Sequence, residues 1–251
     1  MTPDRLPWID GELGVLEQAL RKWLGAFAKG YGGGRDLPPE WPQRLHDEGW
    51  LWPDDDDLPV SRGGWVALLA QCIGHQGLCI DLPAAISEAA GTTAVAQDWA
   101  ALAACGWASG AARGLVDSTL QHVGTRQQFG QLIGRFQAVQ HRAVDMHADA
   151  EAMHALLWSV APTVGSAVDS DDLDALVDVC WRASRRVGQA AIQLHGAIAM
   201  TEELDVGALV LHAEALLARH AQPLRRSTHR ATALLSSFPS RSNPNGHDDP
   251  A

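Results

Sequence analysis

Between Thr125 and Met146 the chain reads TRQQFGQLIGRFQAVQHRAVDM, and the opening turn of this stretch collects residue types that can hold a ligand. Arg126 carries a planar fork of donors suited to phosphate, Phe129 offers a flat face to a base, and Gly130 and Gly134 let backbone pass close to a bound group. The turn lies between two stretches of helical periodicity. Residue types and spacing alone leave open whether it does more than connect them.

The remaining candidates for chemistry are weaker. Glu151 and His154 match one Glu-x-x-His step of the carboxylate-bridged metal bundles, but those sites need a second copy and further inward glutamates, and the sequence has neither. His147 and His154 are seven apart on the edge of an apolar seam, where interface or half-exposed imidazoles are expected rather than metal ligands. GYGGGR lacks the Gly-Lys-Ser/Thr ending of a phosphate loop and follows a helix where such loops follow a strand, so it reads as a connector. The four consecutive aspartates of WLWPDDDDLPVSRGGW repel one another and mark a surface loop, whereas a calcium loop needs alternating ligands and a distal Glu. No Ser/His/Asp arrangement can be built from spacing. No metal site and no complete catalytic set is expected.

Composition narrows the class. Thirty acidic against 19 basic side chains give a net charge of −11, which repels nucleic acid unless a basic patch is concentrated somewhere. The densest basic cluster, Arg182, Arg185 and Arg186, sits on a helix with an apolar opposite face and reads as a solvated face. Cys72, Cys79, Cys105 and Cys180 contain no Cys-x-x-Cys pair and fit buried thiols in a reducing cytoplasm. The start, MTPDRLPWIDGE, has acids where a signal peptide needs an apolar core. The longest uncharged stretch, Trp99 to Ala112, is shorter than the ~18 residues a spanning helix requires. A soluble, cytoplasmic protein is expected.

The elements that must position the turn are helical throughout. Leu13, Leu16, Leu20, Leu24 and Phe27 predict a first helix from Asp10 to about Phe27, and Pro39 to Gly49 a short second one. Trp65 to about Ala90 is helical with breaks at Gly74 and Gly77 and a proline at Pro83. A helix from about Thr93 to Val123 carries Ala112, Leu115, Thr119 and Val123 on one stripe. The next has a bundle seam of Phe136, Val139, Ala143, Met146, Ala150, Met153, Leu157 and Val160. Ser170 with Asp171 and Asp172 opens a third, burying Leu173, Val177, Cys180, Ser184, Val187, Ala191 and Leu194 and capped by Gly196. A fourth begins near Thr201 and bends or ends at Pro223. Four such helices predict an antiparallel bundle over 93–235, a reduced helical region over 1–92 and a disordered tail over 236–251. No strand is expected.

Two patches carry a family resemblance. Arg126-Gln-Gln-Phe129-Gly130, then Ile133-Gly134-Arg-Phe136-Gln137-Ala-Val-Gln-His141-Arg, closing on Asp145-Met146, resembles the signature of the acyl-CoA dehydrogenase family. Gln193-Leu-His195-Gly196-Ala197, running on to Glu203, is similar to the family's Gln-x-x-Gly-Gly segment and the turn into its last long helix. The likeness spans most of Leu37 to Arg226. It implies an all-α fold whose carboxy-terminal four-helix bundle follows a reduced amino-terminal region. It also implies that Arg126, Phe129, Gln193 and Gly196 hold the ADP half of FAD across a subunit interface.

The sequence departs from the family pattern in three places. The family's β-rich middle domain of roughly a hundred residues has no room between ISEAAGTTAVAQ and DWAALAACGW. The carboxylate base is absent from Ala100 to Gly110, where Asp98 is the nearest acid, and the last helix offers only Glu214 without the family's Glu-Gly-Thr context. Losing such a base typically costs about 10² to 10⁴ in rate. Ala197 replaces the second glycine. Three readings follow: a subunit lending part of an FAD site to a full-length dehydrogenase-like partner that desaturates an acyl-CoA; a structural or regulatory homologue that has lost flavin; or a flavin-independent acyl-thioester hydratase or lyase.

Overall fold

In a computed structural model, the protein is described over residues 12–30, 37–55, 58, 60–91, 94–165, 170–201 and 205–220. The elements are α1 (Glu12–Gly30), α2 (Trp41–Asp47), α3 (Arg62–His75), α4 (Leu82–Ala89), α5 (Ala94–Thr125), β1 (Gln127–Gln128), β2 (Gln131–Leu132), α6 (Gln137–Val160), α7 (Ser170–His195) and α8 (Val206–His220). The fold is all-α, with one two-stranded hairpin among the described residues and no β-domain between α4 and α5. The expected Asp10 cap, most of the glycine connector, Pro223 and the tail lie outside the described residues.

Two helices make the centre of the molecule, and their sequences explain why. From Gly63 to Gly74 every residue of α3 is buried, and the segment has no charged side chain; a helix apolar on all sides has to be surrounded. The uncharged stretch Trp99 to Ala112 is likewise buried throughout, so it forms a core segment of α5. These two helices share the largest interface in the fold. Their axes come close because a side chain is missing at the crossing: a methyl on Gly110 would run into the Gln71 carbonyl, and one on Gly74 into that of Trp107. A single apolar core joins α1–α4 to α5–α8.

A polar network centred on Gln71 lies in the core. The Gln71 side-chain amide donates to Ser109 Oγ at 3.0 Å and to His154 Nδ1 at 2.8 Å, while Trp158 Nε1 donates to Gln71 Oε1 at 2.9 Å. This corrects the expectation for His154, which is fully buried rather than half-exposed; His147 stays exposed. Burial, reinforced by the nearby Arg113 charge, lowers the His154 pKa to about 4.

Several local expectations need revision. Trp65 to Ala90 is two helices, α3 capped by Ser61 Oγ on Gly64 N and α4 by Asp81 Oδ1 on Ala84 N, with Pro83 in the first turn of α4. The last helix starts at Val206, because Gly196–Met200 winds as a 3-10 turn after the Gly196 cap (φ +70°). On α7 the last turn buries His195 and leaves Leu194 half-exposed. The α6 seam is buried from Met146 to Val160, whereas Phe136, Val139 and Ala143 are half-exposed.

Candidate functional site

The Arg126 turn is a β-hairpin. Gln127 pairs with Leu132 and Gln128 with Gln131, and the Ile133 amide closes the turn by donating to the Arg126 carbonyl at 2.9 Å. The two central residues, Phe129 (φ +53°) and Gly130 (φ +78°), both take the left-handed conformation, as a tight two-residue hairpin demands. Asparagine and glycine fill such positions at little cost. A phenylalanine there costs about 1–2 kcal/mol.

Little burial among the described residues offsets that cost. The Phe129 side chain is 91% exposed, with the edge of Phe136 beside it at a ring-centroid distance of 6.2 Å. Arg126 is also exposed, and among the described residues its guanidinium has no carboxylate partner. Around them the scaffold is firm. The Arg126 amide donates to the His122 carbonyl at 2.9 Å, and Gln140 Nε2 donates to the Gly134 carbonyl at 3.0 Å.

Gln193 and Gly196 lie at the same end of the bundle, because α5 and α7 finish side by side. The contact is made by His122 in the last turn of α5 and His195 at the end of α7, with ring centroids 4.6 Å apart. Gly196 is exposed at its cap. Gln193 faces a different groove of about 430 Å³ between α6 and α7, which it lines with Arg142, Asp145, Gln189 and the Asp149–Arg186 ion pair. The four expected residues thus share one end of the molecule and solvent exposure, but no single closed pocket encloses them.

That open arrangement suits one half of an extended ligand whose other half is held elsewhere. An exposed ring face can stack a base, and an exposed guanidinium with no carboxylate partner among the described residues can meet a diphosphate. The residues present therefore fit the ADP half of FAD.

The other end of the bundle holds a separate cavity of about 490 Å³, lined by Asp81, Ser87, Asp98, Asp174, Arg219 and His220 with apolar wall from Leu173 and Val177. Asp98, named from sequence as the acid nearest the family's base, lines it. Residues 98 and 126 are about 40 Å apart along α5, at 1.5 Å per residue. His220 was not anticipated; burial and the Arg219 charge lower its pKa, against an opposing pull from Asp81. Arg219 itself is tied to Asp81. Glu214 does not reach the cavity, but pairs with Arg185 at 3.3 Å on the surface. No group of three or more His, Cys, Asp or Glu side chains among the described residues is placed to hold a metal ion. No helix among them is long and apolar enough to cross a membrane.

Sequence reasoning missed His122 and His195 as a contacting pair beside the turn, and Arg142 as a neighbour of Gln193 in its groove. His122 precedes Arg126 by one helical turn and so shares its face, a signal present in the sequence. Its meeting with His195 depends on how α5 and α7 pack.

Comparison with known proteins bears on the fold and the family. The chain is 35% identical over 102 residues to the acyl-CoA dehydrogenase IpdE2 of Mycobacterium tuberculosis, a match covering 39% of this chain and 29% of that protein. The chain spans about a quarter to a third of the length of the curated relatives it matches. Among solved structures, a putative acyl-CoA dehydrogenase from Mycobacterium smegmatis has the same fold at TM-score 0.75 and 11% identity, over 92% of this chain and 100% of that one. The steroid ACAD Tcur3481-Tcur3483 aligns at TM-score 0.69 and 15% identity, over 90% and 99%. PigA with FAD and proline aligns at TM-score 0.51 and 24% identity, over 56% and 37%. Residues 93–218, half of the chain, match the model of the acyl-CoA dehydrogenase C-terminal domain, and the protein belongs to the acyl-CoA dehydrogenase family.

Proposed function

We propose that this chain is a subunit of a heteromeric acyl-CoA dehydrogenase. In this reading it supplies Arg126, Phe129, Gln193 and Gly196 to the ADP half of an FAD site completed by a full-length partner, with no catalytic base of its own. When bound, FAD supplies the acceptor for the hydride removed from the acyl thioester. This chain's part is to stack the base on Phe129, to neutralise diphosphate charge with Arg126, to donate a hydrogen bond from the Gln193 amide, and to leave room at Gly196.

The observation that carries the reading is the strained and exposed Phe129 beside Arg126, whose guanidinium has no carboxylate partner among the described residues. Two comparisons support it: the Tcur3481-Tcur3483 steroid ACAD, whose name pairs two gene products, and PigA, which binds FAD. The chain expressed alone is expected to be colourless, and co-expression with its full-length partner to give a yellow complex. Combining Arg126→Ala with Gln193→Ala should strip flavin from that complex; flavin content unchanged by the pair of substitutions would refute the shared site. A stable complex that never takes up flavin would make the chain a structural partner instead.

The 490 Å³ cavity favours a second reading, acyl-thioester hydration or elimination without flavin. His220, held neutral by burial, is able to accept a proton there, and Asp98 lines the same wall. Thioester turnover by the isolated, flavin-free chain, abolished by His220→Ala, would establish that reading over the first.

A further inference from the structure

Beside the hairpin lies a third cavity, of about 510 Å³, lined by His122, Ser118 and Gln121 of α5, His195 of α7, His75 of α3 and Asp205 at the opening of α8. His195 is 7% exposed, and its Nδ1–H donates to the Ala191 carbonyl at 2.9 Å; this fixes the tautomer and leaves Nε2 as the ring's remaining polar atom. The His122 ring lies against it at 4.6 Å, and Arg126 follows one turn later. We propose that His122 and His195, acting with Arg126, form a receptor for the diphosphate of a nucleotide, and that His122 takes up a proton from solvent as the anion binds. The inference rests on the reading that the Arg126 turn holds a nucleotide, and adds two residues and a proton to it.

The charges around the pair favour an anion. His75 is occupied, with Nε2 against Asp117 at 3.2 Å and Nδ1 against Arg21 at 3.4 Å. Among the described lining residues the one carboxylate is that of Asp205, which has an interaction of its own. The two imidazoles of His122 and His195 stand in contact there, with Arg126 following one turn after His122. Burial, the His195 ring and the Arg126 charge together lower the His122 pKa, the condition of an imidazole waiting for a counter-ion. The carbonyls at the two helix ends, which would repel an anion, are partly satisfied. Thr125 Oγ1 donates to the Gln121 carbonyl at 3.0 Å, the Arg126 amide to that of His122, and His195 Nδ1 to that of Ala191. Val206, in the first turn of α8, lines the same cavity.

The sign of the linkage is fixed by this arrangement. Without anion His122 is neutral at neutral pH; a diphosphate beside it raises its pKa, so binding consumes a proton. Affinity is then highest in mild acid and falls as pH rises between the free and bound pKa values of His122, by at most about tenfold per pH unit.

The test is calorimetry of the full chain with ADP and, separately, inorganic pyrophosphate at pH 6, 7 and 8, in buffers of different ionisation enthalpy. NMR titration of the His122 ring, with and without pyrophosphate, accompanies it. The expected result is proton uptake with both probes and binding several-fold tighter at pH 6 than at pH 8. His122→Gln should abolish the uptake, and His195→Gln should reduce it. Binding without proton uptake, or uptake unchanged in both variants, overturns the receptor while leaving the nucleotide reading intact. Proton-linked pyrophosphate binding, with ADP no tighter and Arg126→Ala weakening both probes alike, supports the receptor and overturns the nucleotide reading. Failure of both probes to bind at millimolar concentration overturns the proposal.

Discussion

The middle of α5 and the hairpin that follows its end are continuous in the chain, yet they obey different constraints. From Trp99 to Ala112 every residue is buried, and the glycines are where neighbouring backbone leaves no room for a side chain. From Gly124 through Gly130 every residue is exposed, and the one large apolar side chain, Phe129, sits in a conformation that favours glycine. Residue identities in the first segment follow from packing. In the second, packing has little hold on the exposed Phe129, and among the described residues the Arg126 guanidinium has no carboxylate partner.

The sharpest way to break the contrast is to put a side chain where the middle tolerates none. Gly110→Val drives two methyl groups toward the Gln71 carbonyl, and it should destabilise the protein by more than about 3 kcal/mol or prevent folding. Urea unfolding measures this; a loss below about 1 kcal/mol would mean that α3 and α5 are further apart than the structure places them.

A slightly smaller effect is expected from acid. His154 folds neutral with its pKa lowered to about 4, so the unfolded chain, with an ordinary histidine, binds more protons between roughly pH 6.5 and 4. The stability His154 contributes is complete above pH 6.5, is lost as pH falls through that window, and has gone below about 4. The loss is at most about 3 kcal/mol. Replacing the ring by His154→Gln should flatten this part of the pH–stability profile, though with a lower plateau at neutral pH because the contact with Gln71 is disturbed. An equally steep profile in the variant would assign the acid sensitivity to another group.

How legible these regions were in the sequence follows from the range of the forces that shape them. Helical periodicity is local, and it placed α5, α6 and α7 to within a few residues; the stripe Ala112, Leu115, Thr119 and Val123 is indeed buried. His154 was misjudged because its burial depends on Gln71, 83 positions away, offering a polar partner inside the core. The hairpin escaped notice because its two-residue strands have no alternating pattern and Phe129 is an unusual residue for its turn. The cavity with Asp98 and His220 is assembled from the ends of four helices, and no local signal announces such a meeting.

The contrast is sharpened by relieving the strain at the exposed end. Phe129→Gly removes the left-handed penalty without losing buried area, so the protein should become more stable by about 1 kcal/mol, offset in part by glycine's greater freedom when unfolded. The same substitution should weaken nucleotide binding, which a ligand titration beside the unfolding curve would register. A variant that loses stability would show that the ring packs against something within the chain.

The smallest effect on folding is expected from Arg126→Ala and Gln193→Ala, each below about 0.5 kcal/mol, as for exposed side chains that make no ion pair. This near-silence gives the pair its diagnostic value. If the two substitutions leave the unfolding midpoint in place and still remove flavin from a reconstituted complex, the loss cannot come from damage to the bundle, and the end of α5 is shown to serve a ligand. If they lower stability by more than about 1 kcal/mol, these side chains hold the fold together, and the distinction between the buried middle and the exposed end collapses. The two side chains lie on different elements and face different grooves, so their effects on stability should add, whereas their effects on flavin should not if both grip the same nucleotide.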